Sequence, residues 1–231
     1  MDGKRRMLCD IEDEVAATRA WTGKQRLDPR VMAAIGSVPR HRFVPEEYLI
    51  AAYHNGPLDI GYGQTVSQPY IVALMTDLLE PRPGASVLEI GTGSGYQAAV
   101  LSRLVKQVYS LEIIPELAES AARRLRELGY LNVTVRAADG YDGWAEHAPY
   151  DGIIVTAAAG HVPEPLLTQL RPGGQLVIPV GPPHANQSLK LITKAADGTV
   201  ASRDILPVVF VPFTGRWGKM AESSVSTLSA K

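Results

Sequence analysis

Gln64, Thr65, Ser67 and Gln68, in the stretch DIGYGQTVSQPYIV (59–72), carry hydrogen-bonding groups but no charge. Two glycines bracket Tyr62 just before them, and Pro69 opens an apolar helix just after. The stretch holds no histidine or lysine. A serine nucleophile needs an adjacent base, whereas a hydroxyl or amide that only donates a hydrogen bond needs none. Such a run suits the orientation of a group that is already negatively charged. Ser67 also fits a plainer role, as cap of the Pro69 helix.

A second constellation lies in LEIGTGSGYQAA (88–99), where Gly91, Gly93 and Gly95 separate a short apolar run from a helical one. Glycines in a strand–turn–helix unit let the chain turn sharply and let a ligand approach the backbone at the carboxyl edge of a sheet. The spacing is GxGxG, not the dinucleotide GxGxxG. Glu112 ends the next strand, roughly 20 residues on, where an acid can take both hydroxyls of a ribose. Glu89 stands two residues before Gly91. A carboxylate there opposes a pyrophosphate and favours a cationic ligand group, such as the ammonium and sulfonium of S-adenosylmethionine; a protein cation paired to Glu89 is the plainer alternative. Asp139-Gly140, after the following strand, adds a group positioned for an adenine amine, although ADG by itself reads as an ordinary turn.

These residues need a sheet to hold them, and the pattern supplies one. Helices are expected over 8–22, from Pro29 (capped by Asp28) to Val38, and from Pro69 to Glu80 with Ile71, Leu74, Met75, Leu78 and Leu79 as its apolar stripe. RHRFVPEEY (40–48) reads as irregular. From Ser86 onward strands and helices alternate: SVLEI, QVYSLEI, NVTVRAAD, YDGIIVTAAA and GQLVIPVG are strands, with helices from Tyr96, from Pro115 to a Gly129 cap, and over 163–170. SLKLITKA and SRDILPVVFVP flank Asp197-Gly198, a hairpin signal. The expected fold is α/β: a mostly parallel sheet of about seven strands with an antiparallel edge hairpin, helices on both faces and an N-terminal helical extension. One domain is expected over 1–231, with 1–80 as helical cap and substrate side, 81–215 as ligand-binding core, and 216–231 as a flexible tail.

The chain has 231 residues, 45% hydrophobic and 20% charged, with a net charge of -1, so apolar material is ample and a global electrostatic case for nucleic acid is missing. A single cysteine, Cys9, excludes an intramolecular disulfide and a multi-cysteine zinc site. The five histidines (41, 54, 147, 161, 184) lack ligand spacing, so no metal is expected. His161 fits a surface or helix-capping role. Trp144 fits core packing better than stacking on adenine, and Arg40, His41 and Arg42 read as a solvated face. No run resembles a membrane span or signal peptide, and a cytoplasmic monomer is expected.

The segments VPRHRFVPEEY, IGYGQTVSQPYIVALMTDLLE, VLEIGTGSGYQAAVLSRLV, YDGIIVTAAAGHVPEPLLTQLRPGGQLVIPVG and VVFVPFTG together resemble the protein-L-isoaspartate O-methyltransferase family of Rossmann-like methyltransferases. The glycine loop is shared by many methyltransferases; GQTVSQP with VTAAA…VP is far more specific. The resemblance implies S-adenosylmethionine as cofactor, isoaspartyl-containing proteins and peptides as partners, and Ser67 at the position of the family's active-site serine. It places Glu89, Gly91, Thr92, Gly93, Gly95, Glu112, Asp139 and Gly140 at the cofactor, with Thr65 and Val66 beside it. Gln64, Ser67, Gln68 and Thr214 fall on the substrate side. Ala138 departs from the glycine of many members without removing a ligand. The rival readings are a related methyltransferase acting on a small molecule or RNA, which would not require GQTVSQP, and an NAD-binding module, which Glu89 and the glycine spacing disfavour.

Overall fold

The computed structural model describes residues 3–183 and 185–216. Helices α1 (Gly3–Thr22) and α2 (Pro29–Ser37) lead into the hairpin β1 (Leu58–Gly61) and β2 (Gln64–Val66), followed by α3 (Pro69–Leu78). The alternating region then runs β3 (Ser86–Ile90), α4 (Tyr96–Ser102), β4 (Gln107–Glu112), α5 (Pro115–Glu127), β5 (Val133–Ala137) and β6 (Tyr150–Val155). It ends with α6 (Glu164–Gln169), β7 (Leu170–Val180), β8 (Gln187–Lys194) and β9 (Val200–Val208).

The described residues form a seven-stranded sheet in the order β5-β4-β3-β6-β7-β8-β9. Pairing is parallel from β5 through β7 and antiparallel for β7/β8 and β8/β9. The chain runs outward from β3 to β5 and then returns to β6 on the other side of β3. That reversal opens a crevice beyond the carboxyl ends of β3 and β6, which is where such sheets bind ligands. Side chains alternate across the strands with period two. Val87, Val108, Ile154 and Val177 enter a core roofed by α1–α4, whereas Leu88, Ile153, Val155, Leu176 and Ile178 enter a second core beneath α6. Glu89 shares the side of Val87 and is fully buried.

Several elements differ from the sequence reading. Helix α1 starts five residues earlier, because Met7 joins Ile11 and Val15 on its buried side. All ten residues of α3 are buried, Thr76 and Asp77 among them, so the helix is enclosed on every side and not along one stripe. Ser67 does not cap that helix. Gln68 occupies the cap position without a side-chain bond, and the Tyr70 N–H is taken instead by Asn55 Oδ1 at 2.9 Å. Residues 58–66 form a hairpin whose turn residues Tyr62 and Gly63 have φ of 58° and 68°, the sign pattern of a tight hairpin turn. RHRFVPEEY forms two 3-10 turns, and Arg40 is fully buried rather than solvated. Strand β7 begins at Leu170, four residues before the expected GQLVIPVG, and takes in the RPGG that leads to it. Of the expected tail, 217–231 lie outside the described residues, as does His184. Among the described residues no helix is long and apolar enough to cross a membrane.

Candidate active site

Two cavities meet at the crevice. The first is a cleft of about 540 Å³ open to solvent, with Gly91, Gly93, Glu112, Ile113 and Gly140 on one side and Gln64, Thr65 and Phe213 on the other. The second is a groove between the hairpin side and the end of β9, lined by Glu14, Thr65, Ser67, Gln68, Tyr70 and residues 206–211. Thr65, Thr156 and Val211 line both, so the cavities share a wall. A smaller pocket joins Ser67 and Val66 to the loop residues Thr92 and Gly93.

The floor of the cleft is backbone. Gly91 has φ of 93°, and a Cβ there would meet Thr156 Oγ1 at 2.3 Å. That hydroxyl donates to the Gly91 carbonyl at 2.7 Å and the Ile90 carbonyl at 3.1 Å, tying the ends of β3 and β6 together. A Cβ on Gly140 would meet Ile90 Cγ2 at 2.2 Å, so only glycine lets this turn close on the strand end. Gly95 takes the cap position of α4.

The two glutamates behave differently. Glu112 is buried at the cleft wall, its Oε2 accepting from the Gly93 N–H at 2.8 Å and its Oε1 from the Ile114 N–H at 3.1 Å. It fixes the glycine loop and retains lone pairs for ligand hydroxyls. Glu89 lies beneath the loop, its Oε2 accepting from the Ser110 hydroxyl, which also bonds Thr92 Oγ1 at 2.6 Å. Its Oε1 is buried without a partner, and no protein cation pairs with it among the described residues. Burial drives its pKa up to about 8, the Ser110 hydrogen bond lowers it, and Glu112 raises it. An orphaned buried carboxyl oxygen below a bare backbone cradle fits a ligand that brings a positive charge and no phosphate.

Ser67 follows β2 on the groove wall, half-buried, and its hydroxyl makes no hydrogen bond to another described residue. Its carbonyl is held by Arg40 Nη2 at 3.1 Å. Arg40 also donates to the Ala52 carbonyl at 2.6 Å and the Gly56 carbonyl at 3.1 Å, with its guanidinium 5.5 Å from the Tyr96 ring centroid. Burial pushes its pKa down, but a guanidinium stays charged at neutral pH. The residue that fixes Ser67 was thus missed: in sequence it stands 27 positions away inside RHR. Thr156 was missed too, because its place depends on strand order.

The amide nitrogen of Gln68 is already committed to Glu14 Oε2 at 2.8 Å and the Asn55 carbonyl at 3.2 Å, so it shapes the groove rather than donating to an acceptor. Gln64 lines the cleft, not the groove. Asp139 stands next to Gly140 of the cleft wall, its Oδ1 accepting from the Tyr141 N–H at 2.9 Å and its Oδ2 from the Arg216 N–H at 2.7 Å. Thr214 lines the cleft. Trp144 packs in the second core, and His161 is exposed. The described residues contain no group of three or more His, Cys, Asp or Glu able to hold a metal.

Known proteins share this architecture. The family profile described as Protein-L-isoaspartate(D-aspartate) O-methyltransferase (PCMT) matches residues 20–218. A Polaromonas sp. (strain JS666) protein named Protein-L-isoaspartate O-methyltransferase 2 is 60% identical over 210 residues, covering 91% of this chain and 100% of that protein. A protein of the same name from Syntrophobacter fumaroxidans is 58% identical, covering 92% of this chain and 86% of that protein. A solved protein-L-isoaspartate O-methyltransferase superposes with a TM-score of 0.83 at 30% identity, over 96% of this chain and 69% of the other.

Proposed function

The chain belongs to the protein-L-isoaspartate(D-aspartate) O-methyltransferase family, and from that premise we propose how its two cavities divide the reaction. The enzyme methylates the free α-carboxylate of L-isoaspartyl residues in damaged proteins and peptides, with S-adenosylmethionine as donor. The donor supplies a methyl group on a cationic sulfur. Gly91, Gly93 and Gly140 leave it room and Glu112 is the acceptor for its ribose hydroxyls, while Glu89, buried beneath the glycine loop and outside the cleft lining, is the negative group assigned to its ammonium.

The acceptor needs no base. An α-carboxylate has a reference pKa of about 3.5 and is an anion at neutral pH. The protein has to hold it in line with the methyl group, at roughly 3–3.5 Å, and exclude water. The observation that carries this reading is Ser67: an unbonded hydroxyl on the groove wall, its backbone fixed by a buried guanidinium, beside the residues that the cleft and groove share. A neutral donor orients the carboxylate without quenching its nucleophilicity as a lysine would. The methyl ester formed is then open to attack by the next backbone nitrogen, which breaks the ester C–O bond, releases methanol and gives a succinimide in solution.

Residues 1–80 supply one wall of the groove and 81–215 the donor cleft, with Gln64 and Thr65 crossing into the latter. Described residues of a single chain line both cavities, and the reading is of a monomer whose single cysteine suits a reducing cytoplasm. The test is labelled S-adenosylmethionine with two peptides that differ only by aspartate or isoaspartate. Base-labile label on the isoaspartyl peptide alone is expected. Equal labelling of both, or of neither, overturns the assignment.

A further inference from the structure

The groove holds a carboxylate that methyl transfer does not use. Glu14 lies on α1, before the family match begins at residue 20. Ile11 and Thr18, three residues before it and four after, are buried against the body of the protein. Their anchoring brings half-buried Glu14 to the groove edge. The carboxylate is fixed, because Oε2 accepts from Asn55 Nδ2 at 2.7 Å and from Gln68 Nε2 at 2.8 Å. Those amides are anchored in turn, Asn55 by the first turn of α3 and Gln68 by the Asn55 carbonyl. Among the described residues Oε1 takes no hydrogen bond, and no lysine, arginine or histidine pairs with this acid. The facing wall, Leu206–Val211, is apolar. Glu14 lines the groove but not the donor cleft, so its partner belongs to the peptide.

We propose that Glu14 sets the charge preference of the groove: it favours isoaspartyl peptides carrying a lysine or arginine near the damaged residue and disfavours acidic neighbours. The inference rests on the proposed function and adds a substrate class to it. Electrostatic complementarity of one fixed, partly solvated charge discriminates modestly and is screened by salt.

The experiment measures kcat/KM for amino-acetylated isoaspartyl peptides with Lys, Ala or Glu at either of two positions on each side. A Lys-over-Glu preference of about tenfold is expected at low ionic strength, shrinking towards one at high salt. In Glu14→Gln the ratio collapses towards one, while S-adenosylhomocysteine still raises the melting temperature, showing a folded donor site. A wild-type ratio near one at low salt at every position overturns the proposal, as does a preference that survives in Glu14→Gln. Should that variant fail to fold, the salt series on the wild type decides. Failure to methylate any of the peptides would instead strike the proposed function.

Discussion

Replacing Glu89 by glutamine separates the donor site from the rest of the machinery. In the free protein Glu89 is fully buried with one oxygen unbonded, and its pKa stands at about 8 against an ordinary 4.5, chiefly through burial. The folded chain therefore keeps a proton that the unfolded chain releases. This group's contribution to stability is complete below pH 4.5 and is lost as pH rises towards 8. Between pH 5 and pH 7 that loss is on the order of 2–3 kcal/mol, at roughly 1.4 kcal/mol per pH unit. Glutamine cannot titrate, so urea unfolding of Glu89→Gln should lack this component of the pH slope. A donor ammonium needs the anion, so binding must drive the proton off. Calorimetric titration with S-adenosylhomocysteine should show affinity rising about 50-fold from pH 6 to pH 8 in the wild type. The variant should bind more weakly with a flat profile. Parallel pH profiles in the two proteins, or undiminished affinity in the variant, would refute the assignment of Glu89 to the donor's positive charge.

Other substitutions probe the remaining parts. Ser67→Ala should lower kcat by one to three powers of ten, the loss of one transition-state donor worth up to about 4 kcal/mol, while donor affinity measured by calorimetry stays near that of the wild type; loss of that affinity as the main effect would move Ser67 to the donor pocket. Arg40→Met strands three carbonyls and should cost about 3 kcal/mol or more in urea unfolding. Arg40→Lys, which keeps the charge but not the fork, should fold with lower kcat and retained S-adenosylhomocysteine binding; unchanged kcat would count against its hold on Ser67. Gly140→Ala drives a methyl group into Ile90 and should destabilise by about 1–3 kcal/mol and weaken donor binding, read by thermal shift with and without S-adenosylhomocysteine.

What could be read from the sequence was local. The glycine loop and Glu112 are set by strand–turn–helix order within some 25 residues, and the loop and acid do meet through the Gly93 N–H. The β1–β2 hairpin escaped because its strands are four and three residues long and mix exposed with buried positions, leaving no clean alternation. Arg40 looked solvated because its three acceptors lie 12, 16 and 27 residues away, information no local pattern holds. Thr156 acquires its bonds to Ile90 and Gly91 only through the placement of β6 beside β3. Helix α3 was legible in hindsight: Tyr70, Val72 and Ala73 are apolar outside the assigned stripe, the signature of a helix buried all round. Asp77, on the same helix, is buried against Lys24 at 2.7 Å.

The most direct measurement is the single-turnover rate of methyl transfer to an isoaspartyl peptide at saturating S-adenosylmethionine, followed from pH 6 to pH 8 beside its aspartyl twin. An acceptor that arrives already ionised requires a rate that is level across this range, and transfer to the isoaspartyl member alone. A rate climbing about tenfold per pH unit, or transfer to the twin, would mean that a base or a different acceptor is at work.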